Sequence, residues 1–137
     1  MDKSNLIQKA LCAREFAYAP YSNFLVGAAL LTSSGKIYTG CNVENAAYGP
    51  SNCGERTAIF KAVSEGHREF SAISIAGGLR GNKPKDYAYP CGVCRQVMME
   101  FCSPKEFIII TARSENDYKV NTLEELFVNG FGPTNLQ

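Results

Sequence analysis

The chain lacks an excess of either charge: 14 Lys and Arg stand against 13 Asp and Glu, a formal net charge of +1. That balance leaves no cationic surplus to drive non-specific binding to a nucleic-acid polymer. The sequence also lacks any apolar run near the roughly 20 residues that span a bilayer, so no membrane association of that kind is expected. Behind the opening Met1 to Asn5 there is no apolar h-region, which argues against secretion and for a cytoplasmic protein. Histidine is reduced to one residue, His67, and no internal repeat, low-complexity tract or linker interrupts the chain. What remains is 137 residues, 45% hydrophobic and 20% charged, the make-up of one globular domain. A chain of this length buries about two-thirds of its unfolded surface and needs no disulfide scaffold.

Six cysteines are nevertheless present, Cys12, Cys41, Cys53, Cys91, Cys94 and Cys102. Without an export signal they do not read as three disulfides. Cys12, Cys41 and Cys102 each lie inside an apolar periodic segment and are expected in the core, where a free thiol behaves as a small hydrophobe. Cys91 and Cys94 form a Cys-x-x-Cys pair and need a different explanation.

Apolar residues at Leu6, Ile7, Ala10, Leu11, Ala17 and Tyr18 have helical spacing and predict a helix from Ser4 to Tyr18, stopped by Pro20. Residues 26–32 and 36–42 read as a hairpin turning at Ser33, Ser34 and Gly35. A loop follows to Asn52, the expected N-cap of a helix over 53–65 that ends at Gly66. A strand is expected over 70–76, then a loop to Tyr89, and a helix from Pro90 to about Cys102. Residues 107–111 form an apolar run suited to a strand covered on both faces. Val120 marks a short strand, and Thr122 with Glu125 resembles a capping box. Strands alternating with helices in this way predict one mixed sheet with helices packed on it.

The chemistry concentrates at two helix starts, Cys53-Gly54-Glu55-Arg56 and Pro90-Cys91-Gly92-Val93-Cys94. Cys91 and Cys94 share a helix face, and the amides and positive dipole of a helix N-terminus favour thiolate over thiol. If the two N-termini converge, three thiolates meet where Zn²⁺ would be held. A structural zinc site normally has four protein ligands, whereas a catalytic one keeps a position open for water. At 1.5 Å per residue His67 lies about 20 Å from Cys53, and Cys102 about 12 Å from Cys94, both too far to share the metal. Only Cys12 or Cys41 remains to close the shell, so an open fourth position is the better reading and a closed, non-catalytic zinc module the rival.

Glu55 sits two residues after one thiolate, in the same first turn. A carboxylate there reaches water at the metal without being a ligand and suits general acid/base work. A Glu in a first helical turn also complements the dipole, and that alone is the plainer alternative. Three thiolates on Zn²⁺ leave a net charge of −1, which weakens a Lewis acid. A guanidinium donating to a ligand sulfur offsets it; Arg56 is the first candidate and Arg95 the second.

Cys-x-Glu followed by Pro-Cys-x-x-Cys resembles the zinc-deaminase signature, with Cys where other branches use His. The segments Tyr18 to Phe24, Val26 to Leu30, Gly40 to Asn45 and Cys53 to Thr57 resemble, in order and spacing, the small homotetrameric three-cysteine cytidine deaminases. The resemblance covers nearly the whole chain. It implies one three-layer α/β domain over 1–137, with a mixed sheet of about five strands and helices on both faces. It implies one Zn²⁺ per chain on Cys53, Cys91 and Cys94, Glu55 as the proton shuttle, and Arg56 bonded to a ligand sulfur. It further implies that Asn42 and Glu44 bind the ribose hydroxyls, that Phe24 packs on the pyrimidine, and that the Gly54 amide helps read the base edge. Tyr48 and Phe131 match positions that help build a neighbouring subunit's site, so a homotetramer is the implied assembly. The implied activity is hydrolytic deamination of cytidine and deoxycytidine, in pyrimidine salvage. Three features depart from the family pattern. Gly54 replaces the usual Ala, Tyr89 stands where a Ser commonly precedes the Pro-Cys, and the usual Pro is missing near Phe131. Rival readings are a deaminase of another aminopyrimidine, against which Asn42 and Glu44 argue, and a polynucleotide-editing enzyme, against which the charge balance argues.

Overall fold

A computed structural model describes residues 1–137. Its elements are α1 (Lys3–Ala13), β1 (Phe24–Thr32), β2 (Ile37–Cys41), α2 (Gly54–Ser64), β3 (Phe70–Leu79), α3 (Gly92–Phe101), β4 (Ile108–Ser114), β5 (Asp117–Thr122) and α4 (Leu123–Leu126). The five strands form one sheet in the order β2-β1-β3-β4-β5. Only β3 and β4 pair in parallel; the other neighbours are antiparallel. Since β2 and β3 both run against β1, they point the same way, and the helix that follows each begins at the same edge of the sheet.

Alternation along β3 explains the three layers. Ile73 and Ile75 face α2 and α3, packing with Ala58, Ile59 and Met98. Ala72 and Ala76 face α1, where they meet Leu6, Ile7 and Ala10. The small residues on that second face admit a close approach. At Gly27 of β1 an added Cβ would lie 2.0 Å from the Ala10 carbonyl oxygen, so only glycine lets the helix sit there. Helices therefore cover both faces, as the resemblance implied.

The first helix is shorter than its periodicity predicts. It ends at Ala13, tightens into a 3₁₀ turn over Arg14–Phe16 and exits at Ala17 in extended backbone. The cause is Arg14, which is buried and donates to four carbonyls, Leu25 (3.4 Å), Gly78 (2.9 Å), Leu79 (3.2 Å) and Asn82 (3.0 Å). Tyr18 then leaves the helix to bridge Val43, its N–H bonding the Asn42 carbonyl at 3.0 Å. Pro20 comes too late to be the stop. Cys12 is also corrected: it is exposed on the outer side of α1, while Cys41 is half-buried and Cys102 buried. Both internal strand limits widen, β1 beginning at Phe24 and β3 running to Leu79, because the two pair with each other from Phe24↔Leu79 onward. The capping box at Thr122 and Glu125 is formed in both directions.

Candidate metal centre and pocket

The N-termini of α2 and α3 converge beyond the ends of β2 and β3. Asn52 is not the cap of α2, contrary to expectation; it pairs its backbone with Val43 and donates its side-chain amide to Thr57 Oγ1 at 3.1 Å. Cys53 takes the N-cap position instead, and Cys91 takes that of α3; neither thiol accepts from a backbone amide of its helix. A cap residue with no hydroxyl or carboxylate leaves the first-turn amides aimed outward, and both dipoles favour negative sulfur there. Pro90 precedes the cap and so lies outside the helical turn.

The three sulfurs are correspondingly close. Cys53 Sγ is 3.7 Å from Cys91 Sγ, and Cys91 Sγ is 3.6 Å from Cys94 Sγ. All three lie within 4.8 Å of one another. Tetrahedral zinc with Zn–S bonds of about 2.3 Å places its sulfurs about 3.8 Å apart, so the donor set fits that ion in kind and in spacing. The Cys53 thiol is held down to about 5, by the hydrogen bond from Cys94 and then by Arg56 and Cys91, against the opposing effect of burial. Cys94 is pushed up by that same bond to Cys53 and by burial.

Arg56 Nη2 donates to Cys53 Sγ at 3.3 Å, and its Nε is buried with no partner. Arg95 is directed elsewhere, donating to the carbonyls of Pro90 (2.7 Å) and Leu126, so it does not serve the sulfurs. Glu55 is 4% exposed, and its carboxyl is pushed up to about 7, chiefly by burial and further by the Cys53 charge.

A cavity of about 470 Å³ opens over this cluster. It brings together Cys53, Glu55, Arg56 and Cys91 from the helix starts with Phe24, Asn42, Glu44 and Tyr48 from the opposite wall. Buried Cys94 lies behind it, and Gly54 forms the first turn beneath. A Cβ at Gly54 would stand 3.1 Å from the Val26 carbonyl oxygen and 3.4 Å from Cys41, so β1 and β2 press close against this turn. Phe131 is not in the cavity: its carbonyl accepts from Gln96 Nε2 at 2.8 Å and its ring is exposed.

Two polar residues of the far wall carry structural work that their spacing does not reveal. Asn42 accepts from the Val26 N–H and donates to the Phe24 carbonyl, both at 2.8 Å, extending the β1–β2 ladder with its side chain. Glu44 Oε1 accepts from the amides of Tyr21 (3.0 Å) and Ser22 (3.1 Å), and Oε2 accepts from the Ser22 hydroxyl. These bonds, the hydroxyl's foremost, hold its carboxyl below the usual range. Glu44 thus fixes the turn that delivers Phe24 to the pocket. Val26, Ile75 and Ala88 complete an apolar wall that sequence reasoning did not place. Their signal was hidden because a strand residue lining a pocket has the same pattern as one lining a core.

Three thiols at paired helix starts, beside a buried carboxylate on a pocket at the sheet edge, define a zinc-dependent α/β domain of the deaminase class. Residues 1–111 match the family described as the cytidine and deoxycytidylate deaminase zinc-binding region. The chain is 46% identical over 131 residues to a cytidine deaminase of Halalkalibacterium halodurans, spanning 96% of this chain and 95% of that protein. A cytidine deaminase of Sporosarcina psychrophila is 45% identical, over 99% of this chain and 96% of its own. Among solved structures, the cytidine deaminase of Burkholderia pseudomallei superimposes with a TM-score of 0.85 at 47% identity, covering 96% of this chain and all (100%) of that one. That of Mycobacterium tuberculosis gives 0.82 at 34% identity, over 97% and 99% of the two chains. This chain belongs to the cytidine and deoxycytidylate deaminase family.

Proposed function

We propose that the chain is a cytidine deaminase, hydrolysing cytidine and deoxycytidine to uridine and deoxyuridine with release of ammonia, in pyrimidine salvage in the cytoplasm. The observation that carries this reading is one cavity with the Cys53, Cys91 and Cys94 cluster and buried Glu55 on one side, and Phe24, Asn42 and Glu44 on the other. Cys53, Cys91 and Cys94 hold the zinc. When bound, the zinc supplies Lewis acidity that makes water a nucleophile near neutral pH. Arg56, by donating to Cys53 Sγ, draws charge off a trianionic donor set and keeps the metal acidic.

Glu55 moves the protons. It takes one from the attacking water as the new C4–O bond forms and places it on N3. It then takes the proton of the new C4 hydroxyl and delivers it to the departing amino group, so that the C4–N bond breaks with loss of neutral ammonia, the C4–O bond becomes a carbonyl and a uracil base remains. Cytidine and water are consumed, and uridine and ammonia are formed, with no redox change. Burial of Glu55 excludes bulk water from these transfers. Phe24 packs on the base, the Gly54 amide reads its edge, and Asn42 and Glu44, fixed by their backbone bonds, hold the sugar hydroxyls. Preorganisation of that kind means little is lost in ordering them when substrate binds.

The assembly that goes with this reading is a homotetramer. Tyr48 supports it: the ring lines the cavity yet is 97% exposed, as expected of a residue covered by a neighbouring subunit. On this reading Phe131, exposed outside its own cavity, would meet a neighbour's. The activity is tested by ammonia release from cytidine, deoxycytidine, cytosine, cytidine monophosphate and adenosine. Release from the two nucleosides of cytosine is expected; activity confined to cytosine or adenosine would overturn the substrate assignment.

A further inference from the structure

Between β3 and α3 the chain runs from Arg80 to Pro90 without helix or strand, and its end supplies Ala88 and Tyr89 to the cavity wall and then the Cys91 thiol. A wall built on irregular backbone needs something to hold it. Here the holding groups come from the opposite edge of the sheet. Tyr87 donates its hydroxyl to Asp117 Oδ1, and two cations stand over its ring, Arg113 at 4.9 Å and Lys119 at 5.3 Å. Asp117 Oδ2 accepts from Arg113 Nε at 2.7 Å, and Arg113 Nη1 donates to the Lys85 carbonyl at 3.1 Å. Arg113 and Asp117 flank the β4–β5 turn, so a rigid hairpin grips the segment by both side chain and backbone.

None of these residues lines the cavity. Their effect passes through the neighbour of Tyr87. The Ala88 methyl and the Phe24 ring both rest over Gly77 of β3, 3.0 Å and 2.9 Å from where a Cβ would stand. Any shift of Tyr87 moves that contact and with it the wall facing the base. A role in global stability is the weaker explanation, because the Arg113 and Asp117 side chains are 41% and 38% exposed and surface ion pairs contribute little.

We propose that Tyr87, Arg113 and Asp117 are positioning residues that clamp the 85–89 segment and so set how tightly the pocket holds a pyrimidine nucleoside. The inference rests on the deaminase reading above for its substrate. It is tested with Tyr87→Phe, which keeps the ring and removes the hydroxyl, with Asp117→Asn, and with the double variant. Each single variant should raise KM for cytidine about three- to tenfold, with kcat within about twofold, as expected when binding rather than the chemical step is touched. Zinc content and melting temperature should stay close to the parent. The double variant should be no worse than the poorer single one, because both break one device. Calorimetric binding of uridine, which needs no turnover, should weaken by the same factor. Unchanged KM and unchanged uridine affinity would overturn the clamp, as would losses that merely track lost zinc or lost folded protein, or effects that add in the double variant. A parent enzyme inactive on cytidine would sink the deaminase reading instead; if that parent binds uridine the titrations still decide the clamp, and if it does not, the clamp on a nucleoside pocket is overturned as well.

Discussion

Gly77→Ala perturbs the pocket at the point where three of its walls meet. The new methyl would stand 2.9 Å from Phe24 Cε1, 3.0 Å from Ala88 Cβ and 3.2 Å from Val26 Cγ2. Carbon atoms pack at about 3.5–4.0 Å, so each neighbour must retreat by roughly half an ångström. Phe24 is free to swing, and it swings toward the cavity. Ala88 has no side-chain freedom, so its backbone must move and drag Tyr89. Overpacking of this kind costs about 1–3 kcal/mol. Replacing a strand glycine returns about 0.5–1 kcal/mol of backbone entropy, leaving a net loss of about 1 kcal/mol. If the displaced ring costs substrate binding a similar amount, KM for cytidine rises about fivefold. Urea unfolding and steady-state kinetics on one purified variant read both quantities. Stability and KM both unchanged would mean that Gly77 does not set the wall and that the Phe24 ring is not part of the nucleoside pocket.

Three further outcomes are expected. Cys53→Ala, Cys91→Ala and Cys94→Ala should each lose or severely weaken zinc by elemental analysis, whereas exposed Cys12→Ala and buried Cys102→Ala should retain one ion per chain; full zinc in any of the first three would break the ligand set. Glu44→Gln should raise KM for cytidine tenfold to a hundredfold, the worth of a hydrogen bond to a charged group at about 1.5–3 kcal/mol, and an unchanged KM would remove Glu44 from the sugar site. Sedimentation should give four chains per particle, with Tyr48→Ala lowering activity; an active monomer would defeat the shared pocket.

Much of this fold is written locally. The hairpin turn at Gly35, where φ is +95°, and the capping box at Thr122 are set by residues within a few positions of each other, and the sequence pattern carries them. The thiol cluster was legible for a related reason, since zinc needs few donor types and Cys-x-Glu with Pro-Cys-x-x-Cys is a local pattern, even though Cys53 and Cys91 rather than Asn52 and Pro90 stand at the helix starts. What escaped depends on distant partners. Nothing near Arg14 indicates that it turns inward to carbonyls of residues 25, 78, 79 and 82 and thereby ends α1 early. Nothing near Tyr87 reveals the hairpin that grips it. Cys12 misled because a periodicity that includes a small residue does not say which side of the stripe it lies on; the buried stripe is Leu6, Ile7, Ala10 and Ala13.

Glu55 carries the proton chemistry proposed above, and one variant measures it. Glu55→Gln keeps the shape and removes the base, while zinc content and fold should stay normal because the carboxylate is outside the Cys53, Cys91 and Cys94 cluster. General acid–base groups contribute about 10²–10⁴-fold, and the shuttle proposed for Glu55 makes several transfers in each turnover, so kcat for cytidine should fall to or beyond the upper end of that range. A carboxylate that only complements the α2 dipole would cost about 0.3–1 kcal/mol of stability and leave turnover near normal. A zinc-loaded Glu55→Gln protein that deaminates cytidine within about tenfold of the parent rate would fall below that range and contradict the mechanism.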